Sequence, residues 1–333
     1  MYLDFYGLKE KPFNLTPDPR FLYLTPVHGE ALAQLLYGVR EEKGFIVLTG
    51  EVGTGKTTLL RSLIKELEET TEVAFVVHSK LQFDELLEYI IEDFGVKTQT
   101  TSSVQRLFAL NEFLIEQHRV GRNSVLILDE AQHLEPGTLE QVRLLSNFET
   151  PTTKLLQILL VGQPELDARL ALDELRQLRQ RIGLRCSIHP LSPADSQDYI
   201  VSRLRIAGAT GGAIFTEAAI GRIAEYAAGI PRVVNMVCDH CLLFGFADQK
   251  RQIDGEIVAQ AIDYLEQGTS RSPATAVSSA PSSPTGESTE PARRRGSRLE
   301  MILAIMLAVA FIGVGAMLLY PEIFAKLAHW PAQ

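Results

Sequence analysis

The sequence has little cysteine and tryptophan, with three cysteines and one tryptophan among its 333 residues. Three cysteines do not make a disulfide framework. Cys238 and Cys241 form a CxxC pair without a second pair, so we expect buried small residues there rather than a zinc site. Hydrophobic residues make up 46% of the chain. Most of the chain can therefore bury a core.

Basic residues are fewer than acidic ones, 32 against 41, which gives a net charge of −9. Up to Gln267 the chain carries 26 basic and 37 acidic side chains. Proteins that coat nucleic acid neutralise its phosphates with Lys and Arg, so this balance argues against nucleic acid as a partner. The N-terminus lacks a basic region followed by an apolar run. We therefore expect no cleavable signal peptide and a cytoplasmic main domain.

Short apolar runs alternate with amphipathic stretches through the first part of the chain, which is typical of an α/β domain. The predicted strands are 45–49, 73–77, 125–128, 155–161 and 186–189. Strands separated by helices predict a parallel sheet. From residue 192 the strand signals stop, and helices are predicted at 193–207, 216–228, 233–246 and 255–266. The sequence thus predicts an α/β domain over 1–191 and a helical subdomain over 192–267.

The last part of the chain differs in composition. Residues 268–298 contain eight serines, four prolines and no aromatic residue, which predicts a flexible linker. Residues 299–320 are predicted as a transmembrane helix, because 301–320 supply about 20 uncharged, largely apolar residues. A buried core helix is the alternative. Four arginines precede this run and favour a cytoplasmic N-terminal side at the inner membrane, with 321–333 as a short periplasmic tail.

A complete phosphate-loop motif, GxxxxGK[ST], lies between the first predicted strand and a helical run at 58–67. Its residues and the one after it are Gly50, Glu51, Val52, Gly53, Thr54, Gly55, Lys56, Thr57 and Thr58. The glycines let backbone amides turn toward phosphate oxygens at a helix N-terminus. Lys56 can reach the β and γ phosphates, and Thr57 can ligate Mg²⁺. The motif predicts a P-loop NTPase that binds ATP with Mg²⁺.

Two adjacent carboxylates, Asp129 and Glu130, end the third predicted strand. Taken alone, they could equally be ordinary solvated residues. Downstream of a phosphate loop, we expect Asp129 to hold Mg²⁺ through water and Glu130 to polarise the attacking water. The Phe and Tyr residues near the N-terminus fit an adenine pocket and core packing equally well.

The order of these motifs resembles the AAA+ ATPases, and most of all the general secretion pathway protein A (ExeA-type) family and its relatives in MSHA pilus and exopolysaccharide or exosortase loci. The resemblance covers residues 1–266. It is carried by the opening segment 6–23, by DEAQ at 129–132, by GQPEL at 162–166 and by GIPR at 229–232. The phosphate loop identifies only a superfamily, whereas the opening segment and VGQPEL are more specific.

This resemblance implies roles for three more residues. Gln163 matches the sensor-1 position, whose polar side chain contacts the γ-phosphate or the attacking water. Arg232 matches sensor 2, which reaches the nucleotide from the helical subdomain. Arg181 matches an arginine finger that acts on a neighbouring subunit of a homo-oligomer, although three other arginines lie close enough to take that role: Arg176, Arg179 and Arg185.

The chain departs from the family pattern at His78 and His133, where asparagine is common. At the position of His78, a polar residue can hold the catalytic glutamate inactive until a partner binds. A neutral polar replacement is the alternative interpretation.

These features predict a membrane-anchored AAA+ ATPase that couples Mg-ATP hydrolysis to the assembly or operation of an envelope secretion, pilus or polysaccharide export machine. The alternative is a DNA-associated AAA+ regulator resembling the transposition ATPases. That alternative predicts a soluble protein with a basic face, so the acidic domain and the apolar run argue against it. A scaffold that binds ATP but hardly hydrolyses it is a third alternative, against which Glu130 argues.

Overall fold

The computed structural model describes residues 2–270 apart from 17, 22, 78, 79, 99, 101 and 211. Most of the predicted linker, the predicted span at 299–320 and the tail lie outside the described residues, as does His78. Among the helices that are described, none has the length and apolar character needed to span a bilayer.

A parallel sheet forms the centre of the fold, as predicted. Its strands are β1 (Phe45–Gly50), β2 (Thr71–Val76), β3 (Asn123–Leu128), β4 (Gln157–Gly162) and β5 (Ile182–Ile188), in the spatial order β2-β3-β4-β1-β5. All four neighbouring pairs are parallel. The strand bounds differ from the predicted ones by a few residues. The largest difference is in β5, because Gly183 and Arg185 are exposed on this edge strand and interrupt its apolar run.

Helices cover both faces of the sheet. They are α2 (Pro26–Arg40), α3 (Lys56–Leu67), α4 (Phe83–Asp93), α5 (Ser103–Arg119), α6 (Pro136–Leu145), α7 (Glu165–Leu170) and α8 (Arg176–Gln180). Side chains alternate across a strand. Phe45 and Val47 of β1 therefore enter one core, and Ile46 and Leu48 enter the core on the other face. This double coverage explains why β1 and β4 are buried along their whole length.

A helical subdomain follows the sheet. It consists of α9 (Pro193–Ile206), α10 (Glu217–Ala227), α11 (Pro231–Ala247) and α12 (Gly255–Ser270). Helix α11 starts two residues before the predicted 233, because Pro231 is well placed in the first turn of a helix. Helix α12 extends to Ser270, three residues into the segment predicted as a linker. Cys238 and Cys241 are buried free thiols, as expected.

The N-terminal segment packs on this subdomain rather than on the sheet. It begins with the short helix α1 (Tyr2–Tyr6). Phe13 and Phe21 are buried in the same core as Cys238 and Cys241. The first residues of the chain and its helical subdomain therefore form one hydrophobic unit.

Gly229, in the loop between α10 and α11, contacts Leu191, which lies just after β5. The backbone N–H of Leu191 donates to the carbonyl of Gly229 at 2.8 Å. Gly229 has a φ of +75°, and a Cβ added to it would lie 2.1 Å from the carbonyl oxygen of Leu191. Only glycine fits this contact without a shift of the backbone.

We predict that Gly229→Ala lowers the free energy of unfolding by more than about 2 kcal/mol. The alanine would be strained by the positive φ, and its Cβ would also overlap the backbone of Leu191. Denaturant unfolding of the variant and the parent measures this. The control is Gly221→Ala in α10, where an added methyl meets nothing within 4 Å. Alanine favours a helix, so this control should be at least as stable as the parent. Equal stability of the two variants would contradict the prediction.

Candidate active site

The phosphate loop lies at the carboxyl edge of the sheet, between β1 and α3. Gly53 and Gly55 adopt φ values of +83° and +103°. These left-handed conformations turn the loop over the N-terminus of α3, where backbone amides and the helix dipole favour an anion. The loop residues from Val52 to Thr58 line a pocket, together with Glu130 and Arg232.

The ammonium group of Lys56 is held inside this loop. Its Nζ donates to the carbonyl oxygens of Gly50 at 2.6 Å and Glu51 at 3.0 Å. Burial lowers the pKa of Lys56, although the negative charges of Glu130 and Asp129 oppose the shift. A buried cation at the start of α3 is well placed to bind phosphate oxygens.

The carboxylate of Asp129 is buried at the end of β3. Burial raises its pKa, while its Oδ1 accepts a hydrogen bond of 2.9 Å from the backbone N–H of Glu130. Among the described residues, no group of three or more His, Cys, Asp or Glu side chains could hold a metal. Mg²⁺ commonly uses only one or two protein oxygens plus substrate phosphates. The donor set of Asp129 and Thr57 fits that kind of site.

Glu130 adopts a left-handed backbone, with φ 54° and ψ 35°. Such a conformation is uncommon for a non-glycine residue and is found disproportionately at functional sites. Its Oε2 accepts hydrogen bonds from the side-chain amides of Gln132 at 2.6 Å and Gln163 at 3.1 Å. Burial would raise the pKa of Glu130, but these bonds and the charges of Lys56 and His133 lower it. The carboxylate is therefore kept ionised.

Gln163 and Arg232 are both brought to this site. Gln163 follows the end of β4 and contacts Glu130 directly. Arg232, in the first turn of α11, lines the pocket, and its backbone N–H donates to the carbonyl of Gly53 at 3.3 Å. A Cβ added to Gly53 would lie 2.8 Å from the Cβ of Arg232. The helical subdomain thus packs directly on the phosphate loop.

Arg181 does not line the pocket. Its guanidinium donates to Ser146 Oγ at 2.6 Å and to Asn147 Oδ1 at 2.7 Å, just after α6. The other arginines of the cluster also lie outside the pocket lining: Arg176, Arg179 and Arg185. Arg185 forms an ion pair with Asp167. Action of Arg181 on a neighbouring subunit stays a prediction.

A second wall of the pocket comes from the N-terminal segment and the helical subdomain. Among its residues are Asn14, Phe21, Tyr23, Tyr199, Arg203 and Asn235. Phe21 and Tyr23 thus line the pocket as well as packing in the core, whereas Tyr2, Tyr6 and Phe13 lie in the core only. From the helical subdomain the sequence analysis identified Arg232 but not Tyr199, Arg203 or Asn235.

Arg203 connects the two parts of this wall. It is buried in α9 and donates through Nε to the carbonyl of Pro12 at 2.6 Å and through Nη1 to the hydroxyl of Tyr199 at 2.7 Å. Its guanidinium also stacks over the ring of Phe21, 4.8 Å from the centroid. The sequence could have indicated the contact between Arg203 and Tyr199, because the two residues are four apart on the buried face of an amphipathic helix.

His28 is a second site residue that the sequence analysis missed. It is buried in the first turn of α2, and its Nε2 lies 3.0 Å from the carbonyl oxygen of Thr54 in the phosphate loop. A carbonyl can only accept, so Nε2 carries the proton. The other ring nitrogen, Nδ1, contacts Thr25 Oγ1 at 2.7 Å. His28 therefore fixes the loop from the side of α2, and no motif marks it.

Comparison with known proteins supports an ATPase module. Residues 39–170 match a family model described as an AAA domain. Over 254 residues the chain is 44% identical to General secretion pathway protein A from Aeromonas hydrophila. The alignment covers 76% of this chain and 46% of that protein. The chain therefore spans about half the length of the curated relative.

Solved structures with the same fold include two archaeal proteins. Cdc6p from Pyrobaculum aerophilum matches with a TM-score of 0.62 at 20% identity, covering 76% of this chain and 70% of that one. The ORC2 protein from Aeropyrum pernix matches with a TM-score of 0.61 at 17% identity, covering 78% and 73%. At these identities the likeness shows the fold alone.

We predict that His28→Ala weakens nucleotide binding about 10-fold, because the Thr54 carbonyl loses its donor and the loop loses a fixed conformation. Titration with a fluorescent ATP analogue measures the affinity. His28→Gln can keep a donor near Nε2 and should bind more tightly than His28→Ala. The control is His118→Ala on the exposed end of α5. Equal affinity of His28→Ala and His118→Ala would show that the contact does not fix the loop.

Proposed function

We propose that this chain, which belongs to the AAA+ ATPases of the general secretion pathway protein A (ExeA) type, hydrolyses ATP with Mg²⁺ to assemble or operate a bacterial envelope machine. The observation that carries the proposal is the position of the Glu130 carboxylate, which two side-chain amides hold in a pocket that also contains a complete phosphate loop. A phosphate cradle beside a residue that can orient the attacking water is a recurring arrangement in enzymes that transfer phosphoryl groups.

The chain's own groups account for binding of the phosphates. The backbone amides of the loop and the N-terminus of α3 would bind the phosphate oxygens of ATP. Lys56 can exchange its bonds to the Gly50 and Glu51 carbonyls for phosphate oxygens. Thr57 and Asp129 are the residues that would hold Mg²⁺, which neutralises phosphate charge when bound. Arg232 adds a positive charge from the helical subdomain.

Glu130 supplies the step that distinguishes hydrolysis from binding. Its carboxylate accepts a proton from the attacking water as the water's oxygen bonds to the γ-phosphorus and the bond from that phosphorus to the β–γ bridging oxygen breaks, so that ADP leaves. The lowered pKa of Glu130 keeps it in the form that can accept this proton. Gln163, which donates to the same carboxylate, lies where it can also orient the water or the γ-phosphate.

The active form in this proposal is a homo-oligomer. Each pocket contains its own Lys56, Glu130 and Arg232. Because Arg181 does not line the pocket of its own chain, it would supply its charge only to a neighbour. An arginine provided in trans stabilises the transferring phosphoryl group.

The client and the location of the machine are also part of the proposal. The relative from Aeromonas hydrophila is named for the general secretion pathway, which supports an envelope secretion, pilus or polysaccharide export system. The apolar residues 301–320 and the arginines before them support an inner-membrane anchor with a cytoplasmic ATPase. ATP is then available to the pocket.

We predict that Glu130→Gln keeps ATP affinity within about 2-fold but slows turnover by a factor of about 10² to 10⁴, because the acceptor for the water's proton is lost. Lys56→Ala should instead weaken ATP binding itself. Steady-state hydrolysis and equilibrium binding, measured on the same preparations, separate the two effects. Wild-type turnover in Glu130→Gln would remove this residue from its role.

We predict that deletion of residues 299–333 moves the protein from the membrane to the soluble fraction without loss of ATPase activity. The reason is that about 20 apolar residues are enough to hold a chain in a bilayer. The matched control deletes residues 275–290 and should stay with the membrane. Membrane association that survives loss of 299–333 would contradict the anchor.

A further inference from the structure

The side-chain amide of Gln132 connects the ends of two strands. Its Nε2 donates to Glu130 Oε2 at 2.6 Å, and its Oε1 accepts from the backbone N–H of Gln163 at 3.1 Å. The side chain of Gln163 donates in turn to the same Glu130 Oε2 at 3.1 Å. Glu130, Gln132 and Gln163 therefore form a closed ring of hydrogen bonds, which we name the carboxylate clamp.

The clamp is built on buried and constrained positions. Gln132 is 6% exposed and lies in a short 3₁₀ turn, Ala131–His133, directly after Glu130. The left-handed backbone of Glu130 brings this turn back toward the end of β4. The Gln132 amide bonds to Glu130 and to the backbone N–H of Gln163, and its Nε2 also lies 3.5 Å from His133 Nδ1. The amide therefore cannot rotate without leaving one of these groups unsatisfied.

The last residue of β4 leaves space for the clamp. A Cβ added to Gly162 would lie 2.6 Å from Gln132 Oε1, closer than real Cβ contacts allow. The nearest atoms otherwise belong to Leu166, at 3.0 and 3.1 Å. Glycine at 162 is thus a condition for the position of the Gln132 amide.

We propose that Gln132 is a positioning residue that holds the carboxylate of Glu130 in one orientation and joins it to Gln163 during ATP hydrolysis. This inference rests on the proposed function, because Gln132 acts only through Glu130 and therefore matters only if Glu130 takes part in hydrolysis. Both amides bond to Oε2, so the clamp distinguishes the two carboxylate oxygens and assigns Oε1 to the water. Movement of Gln163 toward a γ-phosphate would then be transmitted to the base.

The first test is Gln132→Met, which keeps the length of the side chain and removes the hydrogen bonds of the amide. We expect kcat to fall about 10- to 100-fold, the usual cost of a misplaced catalytic group. The KM for ATP and the affinity measured by equilibrium binding should change less than about 2-fold, because Gln132 does not line the pocket. Gln141→Met, on the exposed side of α6, is the matched control and should match wild type.

A double variant shows whether Gln132 acts through Glu130. Groups that work as one unit give non-additive losses. Gln132→Met in a Glu130→Gln background should therefore cause less than about a 3-fold further loss of turnover. A full 10-fold or greater further loss, or a matching fall in ATP affinity, would mean that Gln132 only supports the local structure and would overturn the inference.

A methyl group added at Gly162, at the end of β4, provides an independent test. Gly162→Ala should displace the Gln132 amide and reproduce the fall in kcat at near-constant affinity. Its control is Gly137→Ala in α6, where an added Cβ meets nothing within 4 Å. If Gln132→Met and Gly162→Ala both keep the wild-type kcat while Glu130→Gln is inactive, the role of the clamp is refuted and the proposed function stands. Wild-type turnover in Glu130→Gln would refute the proposed function and the clamp together.

Discussion

The contact between the phosphate loop and the helical subdomain is the constraint on which the rest of the pocket depends. Gly53 meets Ile230 and Arg232 so closely that any side chain at 53 would overlap them. On the opposite side, His28 bonds to Thr54. The loop is therefore fixed from α2 and α11 as well as by its own Lys56. A phosphate bound there contacts a backbone whose conformation is already set, which lowers the entropy cost of binding.

The N-terminal segment becomes part of the same arrangement through Arg203. A buried arginine is costly unless its donors are satisfied, and here Pro12 and Tyr199 accept from it. Its stacking on Phe21 brings the segment over the pocket. Since this segment shares a core with the helical subdomain, a ligand that moves one would move the other. The N-terminal segment and the helical subdomain are therefore coupled to each other beside the pocket.

Sequence reasoning predicted the elements whose signals are local. The strand and the helix that flank the phosphate loop were predicted at 45–49 and 58–67, and the ends of β1 and α3 lie within two residues of those bounds. The sheet class followed from strands that alternate with helices. The start of β5 was less visible, because Arg185 on its exposed face interrupts the apolar pattern.

Other parts of the site depend on contacts between residues far apart in the chain. Arg203 bonds to Pro12, about 190 residues away, and no periodicity encodes that pairing. His28 resembles any histidine near a helix start. Gln132 was visible as part of DEAQ, but its function as a link between Glu130 and Gln163 needs the parallel pairing of β3 with β4. The orientation of Arg181 could not be predicted either, because it is set by hydrogen bonds to residues at the end of α6.

In the proposed function, ATP binds between three parts of the chain: the phosphate loop, the N-terminal segment and the start of α11. Amide hydrogen exchange with and without a slowly hydrolysed ATP analogue and Mg²⁺ tests it most directly. We expect slower exchange in residues 50–58, in 12–23 and in 229–235, measured in one experiment on the full chain. Protection confined to residues 50–58, with unchanged exchange in the other two segments, would contradict it.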